Sequence, residues 1–276
     1  MVKGSSFWKG KNVLVTGGSG FIGYALSRSL LASGAKVTVL DIRPLPVYAT
    51  PSEKRAIRFV KGDVRSKKTV ERILKSGKIH TVFHLAAEAI VGRAQKDPEE
   101  ALDTNVRGTW VILEAVRLRF PKVHVVVASS DKAYGTQAKL PYTEKTPLSG
   151  ENPYDVSKSA ADLVAMMYAN SYGLSIAIAR CGNVYGPGDL NFSRLIPDAL
   201  RSAHTKKEFK IRSDGTFRRD YVYIDDIVNA YLTLGRALAK GKAAGEAFNF
   251  GENKPMSVVA MVKLIARLRS LKYRIL

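Results

Sequence analysis

The sequence predicts an α/β fold, a doubly wound parallel sheet followed by a smaller and apparently shortened C-terminal lobe. Three observations carry this. Strand-like and helix-like segments alternate through the first 180 residues. The strand-like runs are short, apolar and β-branched, the pattern of strands buried inside a sheet. The first of them runs into a glycine-rich turn and then a helix.

Taken in order, Asn12–Thr16 (NVLVT) reads as a strand and Phe21–Ser33 as an amphipathic helix. Lys36–Asp41 (KVTVLD) is the next strand, followed by a proline-containing loop to Pro51. Ile57–Val60 is a strand, Lys67–Lys75 a helix and Thr81–Ala86 (TVFHLA) a strand. Glu99–Arg119 reads as one long helix opened near Asp97-Pro98. Val123–Ala128 is a strand, Pro153–Tyr172 a second long helix, and Ser175–Arg180 (SIAIAR) another strand. This βαβ alternation argues for parallel strands with helices on both faces, because crossovers between parallel strands are right-handed. After Arg180 the regularity weakens. Gly182–Leu190 is a Gly/Asn/Asp/Pro-rich loop, Ser193–Ser202 a helix, Glu208–Ile211 a short strand and Asp225–Leu238 a helix. Phe248–Phe250 is a short strand and Ser257–Arg269 a final helix.

The 276 residues, 46% of them apolar, suffice for a sizeable core. The start, MVKGSSFWKGKN, has no apolar stretch of the secretory kind, and no run approaches the ~18 apolar residues of a membrane span. The single cysteine, Cys181, cannot form an intrachain disulfide, so the expected setting is a reducing one, the cytoplasm. Charge is the unusual quantity: 44 Lys+Arg against 24 Asp+Glu give +20. The last acid is Glu252, with Lys254, Lys263, Arg267, Arg269, Lys272 and Arg274 beyond it. Such a surplus attracts polyanions, among them nucleic acid, or simply forms a solvated basic surface.

Two patterns carry chemistry. Gly17, Gly20 and Gly23 make G-x-x-G-x-x-G between the first strand and its helix. Glycines there let the backbone approach a pyrophosphate, which the unpaired N–H groups of the helix start, at Phe21 and Ile22, then meet. Asp41 ends the second strand, 18 residues after Gly23, where an acid accepts hydrogen bonds from ribose hydroxyls and repels a 2′-phosphate. That favours NAD over NADP, with Arg43 as the residue that could reverse the preference. Asp63 and Val64 follow the third strand, where an adenine edge would lie, or Asp63 caps the next helix. The second pattern is Tyr154-Asp-Val-Ser-Lys158, which puts phenol and ammonium on one helix face. A cation there is expected to lower the tyrosine pKa, so that the pair can take or return a hydroxyl proton. Ser130, at the end of the preceding strand, can hydrogen-bond the same hydroxyl, and two charged residues, Asp131 and Lys132, stand directly after it. His80, His84, His124 and His204 have no ligand spacing, so no catalytic metal is expected.

Together these segments resemble the extended short-chain dehydrogenases/reductases of the nucleotide-sugar epimerase/dehydratase group. The likeness runs from about Lys11 to about Leu268 through GGSGFIG, Asp41, GDV at 62–64, FHLAAE at 83–88, TNVRGT at 104–109, SSDKAYG at 129–135, YDVSK at 154–158, ARCGNVYGPGD at 179–189, RRDYVYIDD at 218–226 and GEAFNFG at 245–251. Within the group it is most similar to CDP-glucose 4,6-dehydratases, which share the Ser-Asp-Lys trio. The AAE at 86–88 is more like dTDP-glucose 4,6-dehydratases, which usually carry Thr-Asp-Glu at 130–132.

The resemblance implies a Rossmann domain of residues 1–180 with 218–251, holding NAD, and a substrate-binding lobe of 181–217 with 252–276. Leu85, Ala86 and Ala87 join the cofactor residues, as do Tyr154 and Lys158. It implies that Tyr154 takes the O4 proton of a nucleotide-hexose during oxidation at C4, that Lys132 removes the C5 proton, and that Asp131 protonates the departing 6-hydroxyl. Asn183, Arg194, Arg212 and Arg219 are the candidate substrate contacts, Arg194 being equally readable as a surface charge. Family members usually continue beyond the helix at 257–269, so the cofactor half is expected to be complete and the substrate lobe short. A homodimer through helices 99–119 and 153–172 is expected. Two other readings stay open: a 4-epimerase, which has no need of Asp131 and Lys132, and a non-catalytic NAD-binding protein that associates with nucleic acid.

Overall fold

The structure, a computed structural model, describes residues 6–270 and 272–275. Residues 1–5, part of the stretch read above for a leader, and the outer limits of the two expected domains at 1 and 276 lie outside the described residues. The chain divides into two compact units. The first holds the chain up to Cys181 together with Ile227–Asn249; the second holds Gly182–Asp226 and the chain from Phe250 onward. Residues 218–226, expected in the first domain, thus fall in the second, because Tyr221–Tyr223 pairs with Asn183–Tyr185 and not with the central sheet.

The first unit is built on β1 (Asn12–Thr16), β2 (Lys36–Asp41), β3 (Arg58–Lys61), β4 (Thr81–His84), β5 (His124–Ser130) and β6 (Ile176–Cys181), with Glu246–Phe250 beside β6 at one edge. In space the order is Glu246–Phe250, β6, β5, β4, β1, β2, β3. Neighbours among β1 to β6 are parallel, with Thr16 level with Leu40 on one side and His84 on the other. The chain winds outward from β1 to β3, then returns to the other side of β1 as β4. That reversal opens a crevice at the carboxyl ends of β1 and β4, the place where such sheets bind ligands.

Both faces are covered. Helices Lys67–Gly77, Gly108–Arg119 and Pro153–Tyr172 bury Leu74, Ile112, Val116 and Ala165 against Leu14, Val82, Val125 and Ile178 on one face. On the other, Phe83 lies 5.7 Å from the Trp8 ring and 6.3 Å from that of Tyr231, centroid to centroid. Gly235 is small because a Cβ there would come within 2.8 Å of the Phe83 ring.

The long helix expected over Glu99–Arg119 is corrected in detail. A separate helix, Val91–Lys96, comes first. Asp97 then caps the Glu100 N–H at 3.0 Å with Pro98 in the first turn, and Pro98–Leu102 passes through a π turn, Asp103–Arg107, into Gly108–Arg119. The wide turn carries Asn105 into the interior. The loop expected to precede Pro51 gives way at that residue to a short helix, Pro51–Ala56, closed by a capping box between Thr50 and Glu53.

In the second unit, helices Leu195–His204 and Val258–Arg269 bury Ile196, Ala199, Met261 and Ile265 with Phe209 and Ile211. The short strand expected at Glu208–Ile211 is present as Phe209–Ile211 and pairs with Tyr273–Ile275, and Arg218–Arg219 pairs with Met256–Ser257, three short strands that propensity did not reveal.

The first unit is pinned by one buried ion pair. Arg180, in β6, holds both carboxylate oxygens of Asp162, on helix Pro153–Tyr172, at 2.9 Å each. Its Nη1 also donates to the Tyr134 hydroxyl (2.9 Å) and the Glu144 carbonyl (3.1 Å), and its plane lies 5.0 Å from the Tyr134 ring centroid. Removing one partner strands a buried charge, which typically costs about 3–5 kcal/mol. Asp162→Ala is therefore expected to lower the urea midpoint by that much stability, with no change in the m-value if the fold is otherwise kept.

Candidate functional site

The turn after β1 is shaped for close approach. Gly17 has φ +68°, and a Cβ there would lie 2.7 Å from the Ala86 N. Gly23 packs so tightly on the turn that a Cβ would overlap the Gly17 carbonyl. Gly20 differs: its φ of −75° suits any residue, and a Cβ would meet only the Gly17 oxygen, at 3.2 Å. The protein itself gives little reason for a glycine there, so the cradle fits a group arriving from outside. Gly20 is also the N-cap of helix Phe21–Ala32 and offers no capping side chain, which leaves the helix start to an anion. Asp41 stands beside this turn, accepting from the Ser19 N–H (3.0 Å) and the Arg43 N–H (2.9 Å). The Arg43 side chain is largely exposed, its Nε 4.0 Å from the Asp41 carboxylate.

Asp63 is more committed than its position suggested. Arg65 binds its carboxylate in a fork, at 2.6 Å to Oδ2, and continues to Glu100 and Asp103. Arg65 holds the Asp63 pKa below its ordinary value, so the carboxylate stays an acceptor. Val64 is buried beneath it.

At the end of β5 the residues around Ser130 assemble. Ser130 Oγ donates to Asp131 Oδ1 (3.0 Å) and accepts from the Lys132 N–H (3.2 Å), so it caps the short 3-10 turn Asp131–Tyr134. The Ser130 side chain also hydrogen-bonds that of Tyr154. Lys158, one turn along, donates from Nζ to the Ala128 carbonyl at 3.0 Å. Ser130, Asp131, Tyr154 and Lys158 are thus brought together at the carboxyl end of the sheet. Lys132 follows on the same turn, partly exposed.

One expectation is overturned. Burial pushes the Tyr154 pKa up, the negative charges of Asp131 and Asp155 add to that, and only the Ser130 hydrogen bond opposes them. The Lys158 ammonium is engaged by the Ala128 carbonyl. Burial brings Lys158 itself down to about 8, against the upward pull of Cys181 and Asp162. Cys181 lies buried beside Tyr231, its thiol pushed up to about 12 by burial.

A polar chain beneath the site was not foreseen, although its members stand in the segments NVLVT, FHLAAE, TNVRGT and YDVSK. The Ala86 N–H donates to Thr16 Oγ1 (3.2 Å), and Thr16 Oγ1 lies 2.8 Å from His84 Nδ1. His84 Nε2 lies 3.1 Å from Thr109 Oγ1, whose proton goes to the Asn105 carbonyl (2.6 Å). Thr109 can then only accept from His84, so the imidazole is neutral with its proton on Nε2. Asn105 continues the chain, accepting from the Glu88 N–H (2.7 Å) and donating to Ser157 Oγ (2.8 Å), which donates to the Tyr154 carbonyl (2.7 Å). The glycine-rich turn and the Tyr154 helix are joined through the core. The sequence signal was a histidine and two hydroxyls within otherwise apolar strand and helix segments.

The substrate candidates all lie in the second unit. Asn183 has a buried Nδ2 with no hydrogen-bond partner among the described residues. Arg212 is exposed just after Phe209–Ile211. Arg219 is half-buried, donating to the Arg218 carbonyl (2.9 Å) with its guanidinium 5.7 Å from the Phe217 ring centroid. Arg194 is engaged internally, with Nη1 on Asp189 (2.6 Å) and Nη2 on the Val184 carbonyl (2.5 Å); it braces the 184–189 loop.

Residues 13–251 match the family described as "NAD dependent epimerase/dehydratase family". The chain is 31% identical over 274 residues to a trifunctional UDP-glucose 4,6-dehydratase/UDP-4-keto-6-deoxy-D-glucose 3,5-epimerase/UDP-4-keto-L-rhamnose-reductase of Arabidopsis thaliana, with 95% of this chain and 40% of that protein covered. It therefore spans about two fifths of the length of that relative. It is 34% identical over 260 residues to CDP-glucose 4,6-dehydratase of Salmonella typhimurium, covering 89% of this chain and 72% of that one. The crystal structure of dTDP-glucose 4,6-dehydratase from Bacillus anthracis in complex with NAD superposes with a TM-score of 0.83 at 30% identity, covering 96% of this chain and 84% of that one.

The neutral histidine makes stability pH-dependent. Burial, helped by the Lys158 charge, holds the His84 pKa at about 3, against 6.5 in an unfolded chain. Below pH 6.5 the unfolded chain takes a proton that the folded chain refuses. Stability is therefore lost as pH falls from 6.5 towards 3, by up to about 1.4 kcal/mol per pH unit from this group. In urea titrations across that range, His84→Gln is expected to show a slope shallower than wild type by that amount.

Proposed function

The chain belongs to the NAD dependent epimerase/dehydratase family, and within it we propose an NDP-hexose 4,6-dehydratase, a cytoplasmic enzyme that keeps NAD as a resident cofactor. The observation that carries the reading is the Ser130–Asp131–Lys132 turn, in which one serine hydroxyl meets the Asp131 carboxylate, the Lys132 backbone N–H and the Tyr154 side chain. NAD would rest its pyrophosphate on Gly17, Gly20, Phe21, Ile22 and Gly23, its adenosine ribose on Asp41, and its adenine near Asp63 and Val64. Leu85, Ala86 and Ala87 would flank it, with Tyr154 and Lys158 on the nicotinamide side. When bound, it supplies the acceptor that takes the hydride from C4 of the hexose and gives it back at C6.

This chain's residues handle the protons. Tyr154, acting as its phenolate and hydrogen-bonded to Ser130, takes the O4 proton as C4 is oxidised. The resulting 4-keto group acidifies the C5 proton, which Lys132 removes. Asp131 gives a proton to the 6-hydroxyl, which leaves as water; as the hydride arrives at C6, Lys132 returns its proton to C5, and the O4 proton held by Tyr154 replaces the one that Asp131 gave. Because the hydride is returned, the reaction is a redox-neutral loss of water. Asn183, Arg212 and Arg219 would hold the diphosphate, and Arg194 would shape the loop that carries Asn183's neighbours. A 4-epimerase is the second reading, favoured by the family description itself and by the Ser130/Tyr154/Lys158 set, which both reactions use.

Incubation with CDP-, dTDP-, UDP- and GDP-hexoses is expected to give a product lighter by one water in mass spectrometry with one of them. Tyr154→Phe should abolish turnover. Asp131→Asn and Lys132→Ala should still oxidise C4, seen as a rise in reduced-nicotinamide absorbance on mixing, and then stall, with dehydration slowed about 10²–10⁴-fold. Wild-type dehydration by both variants would remove Asp131 and Lys132 from the mechanism, and a mass-neutral product would make the chain an epimerase.

We propose a homodimer on the evidence of exposed apolar surface. Trp110 and Leu118 on one long helix, and Leu163, Met167 and Tyr172 on the other, are all exposed. A two-fold contact would cover both rows at once. Light scattering at micromolar concentration is expected to give twice the chain mass, and Leu163→Glu with Met167→Glu to give the monomer.

A further inference from the structure

The strands of the first unit have a second end. Opposite the candidate site, where β4 and β5 begin, His80, Thr81, Val123 and His124 border a cleft of about 430 Å³. Its floor is apolar, from Phe7, Ile79, Phe120, Pro121 and Ala239. Its cations are Lys11, Arg119 and Lys122, and Lys11 Nζ sits 5.8 Å from the Phe7 ring centroid. A second cleft, of about 550 Å³, shares Arg119 and Phe120 with the first and runs along helix Lys67–Gly77 past Lys67, Lys68, Arg72 and Lys75. Lys68, Arg72 and Lys75 are spaced i, i+4, i+7, so they form one exposed row.

The charge of this surface is not the chain average. The two clefts carry seven Lys/Arg and one acid, Glu71, whose carboxylate faces Arg119 at 3.4 Å. The whole chain has 44 against 24. His80 and His124 add hydrogen-bonding ring nitrogens to the first cleft. His80 Nδ1 accepts from the Asn12 N–H at 3.0 Å, so its proton is on Nε2, a donor. His124 is lowered from its ordinary value by burial first and then by the positive charge of His80 and Lys11.

We propose that this paired cleft binds single-stranded nucleic acid, one base lodging on the apolar floor of the first cleft and the adjoining phosphates following the Lys68–Arg72–Lys75 row. A strand whose bases are free to leave the stack matches both halves of the surface, an aromatic and apolar recess beside a track of cations. An acidic peptide has no use for the apolar floor. A bilayer surface cannot enter a cleft, and a duplex keeps its bases from the floor. None of these residues belongs to the candidate catalytic site, so strand binding and nucleotide-sugar turnover are separable.

The test is fluorescence anisotropy of the full-length chain with a labelled single-stranded 12-mer at rising salt. Binding is expected to weaken with a log–log slope between about −2 and −4, three to five phosphates at about −0.7 each. The variant Lys68→Glu/Arg72→Glu/Lys75→Glu should bind at least tenfold more weakly. Reversing three cations elsewhere, Lys263→Glu/Arg267→Glu/Arg269→Glu, removes the same charge and should change binding less than twofold. Photo-crosslinks of the unmodified protein, mapped by mass spectrometry, should fall in 67–75 and 119–124, which gives a readout independent of any variant's folding. The proposal is overturned by absence of binding at low salt, by equal loss in the two triple variants, or by crosslinks confined to other segments. Equal affinity for duplex, heparin or anionic vesicles overturns it in favour of a general polyanion surface. Displacement of the strand by a free mononucleotide at the strand's own concentration overturns it in favour of a mononucleotide site.

Discussion

Arg180 and Asp162 form the contact on which the rest of the first unit depends. Both are buried, and each would be intolerable alone. Their fork fixes one point on β6 against one point on helix Pro153–Tyr172. The same guanidinium reaches the Tyr134 hydroxyl, which donates to Asn249 Oδ1 at 2.7 Å. Three stretches distant in sequence are thereby held to one residue, and one of them begins with Asp131. The phenol of Tyr154 and the acid of Asp131 meet because the arginine leaves neither the helix nor the turn another place to sit. A hydrophobic contact could supply adhesion here, but not the angular definition of a two-point fork.

The His84 chain works by a different means. It carries no net charge; each group has one proton to give and one lone pair to fill, and the order of donors runs one way from Ala86 to Asn105. Such a chain tolerates burial because nothing in it is left unpaired. It ties the glycine-rich turn to the helix of Tyr154 through rigid β1 and β4. The two halves that must cooperate over one ligand are registered against each other before that ligand arrives.

Much of this was legible beforehand, for physical reasons. Strands buried on both faces have nowhere to place polar side chains, so NVLVT and HVVVA declared themselves, as did the glycines of a turn that admits no Cβ at Gly17. The helix over Pro153–Tyr172 was bounded by its proline and by Gly173. What escaped was settled by partners rather than by neighbours in sequence. Tyr221–Tyr223 is a strand because Asn183–Tyr185 lies beside it, and three residues have no period of their own. The direction of the Tyr154 shift was set by how deeply the phenol is buried, and helical spacing says only which face it shares with Lys158. Arg194 looked available until Asp189 was seen to hold it. Arg180 was read only as the last residue of a strand.

The π turn at Asp103–Arg107 has a consequence for how this surface can change over evolutionary time. A π turn holds one residue more than the α turn it replaces. The segments before and after it therefore keep their faces even though one extra residue lies between them. Deleting one residue of Asp103–Arg107 would close the wide turn into an α turn and leave Trp110 and Leu118 facing outward, while the turn that carries Asn105 into the interior would be gone. Losing a residue anywhere else along the helix would turn everything beyond it by about 100°. The helix thus has one place where its length can change by a single codon without re-aiming its far half, and Asn105 occupies it.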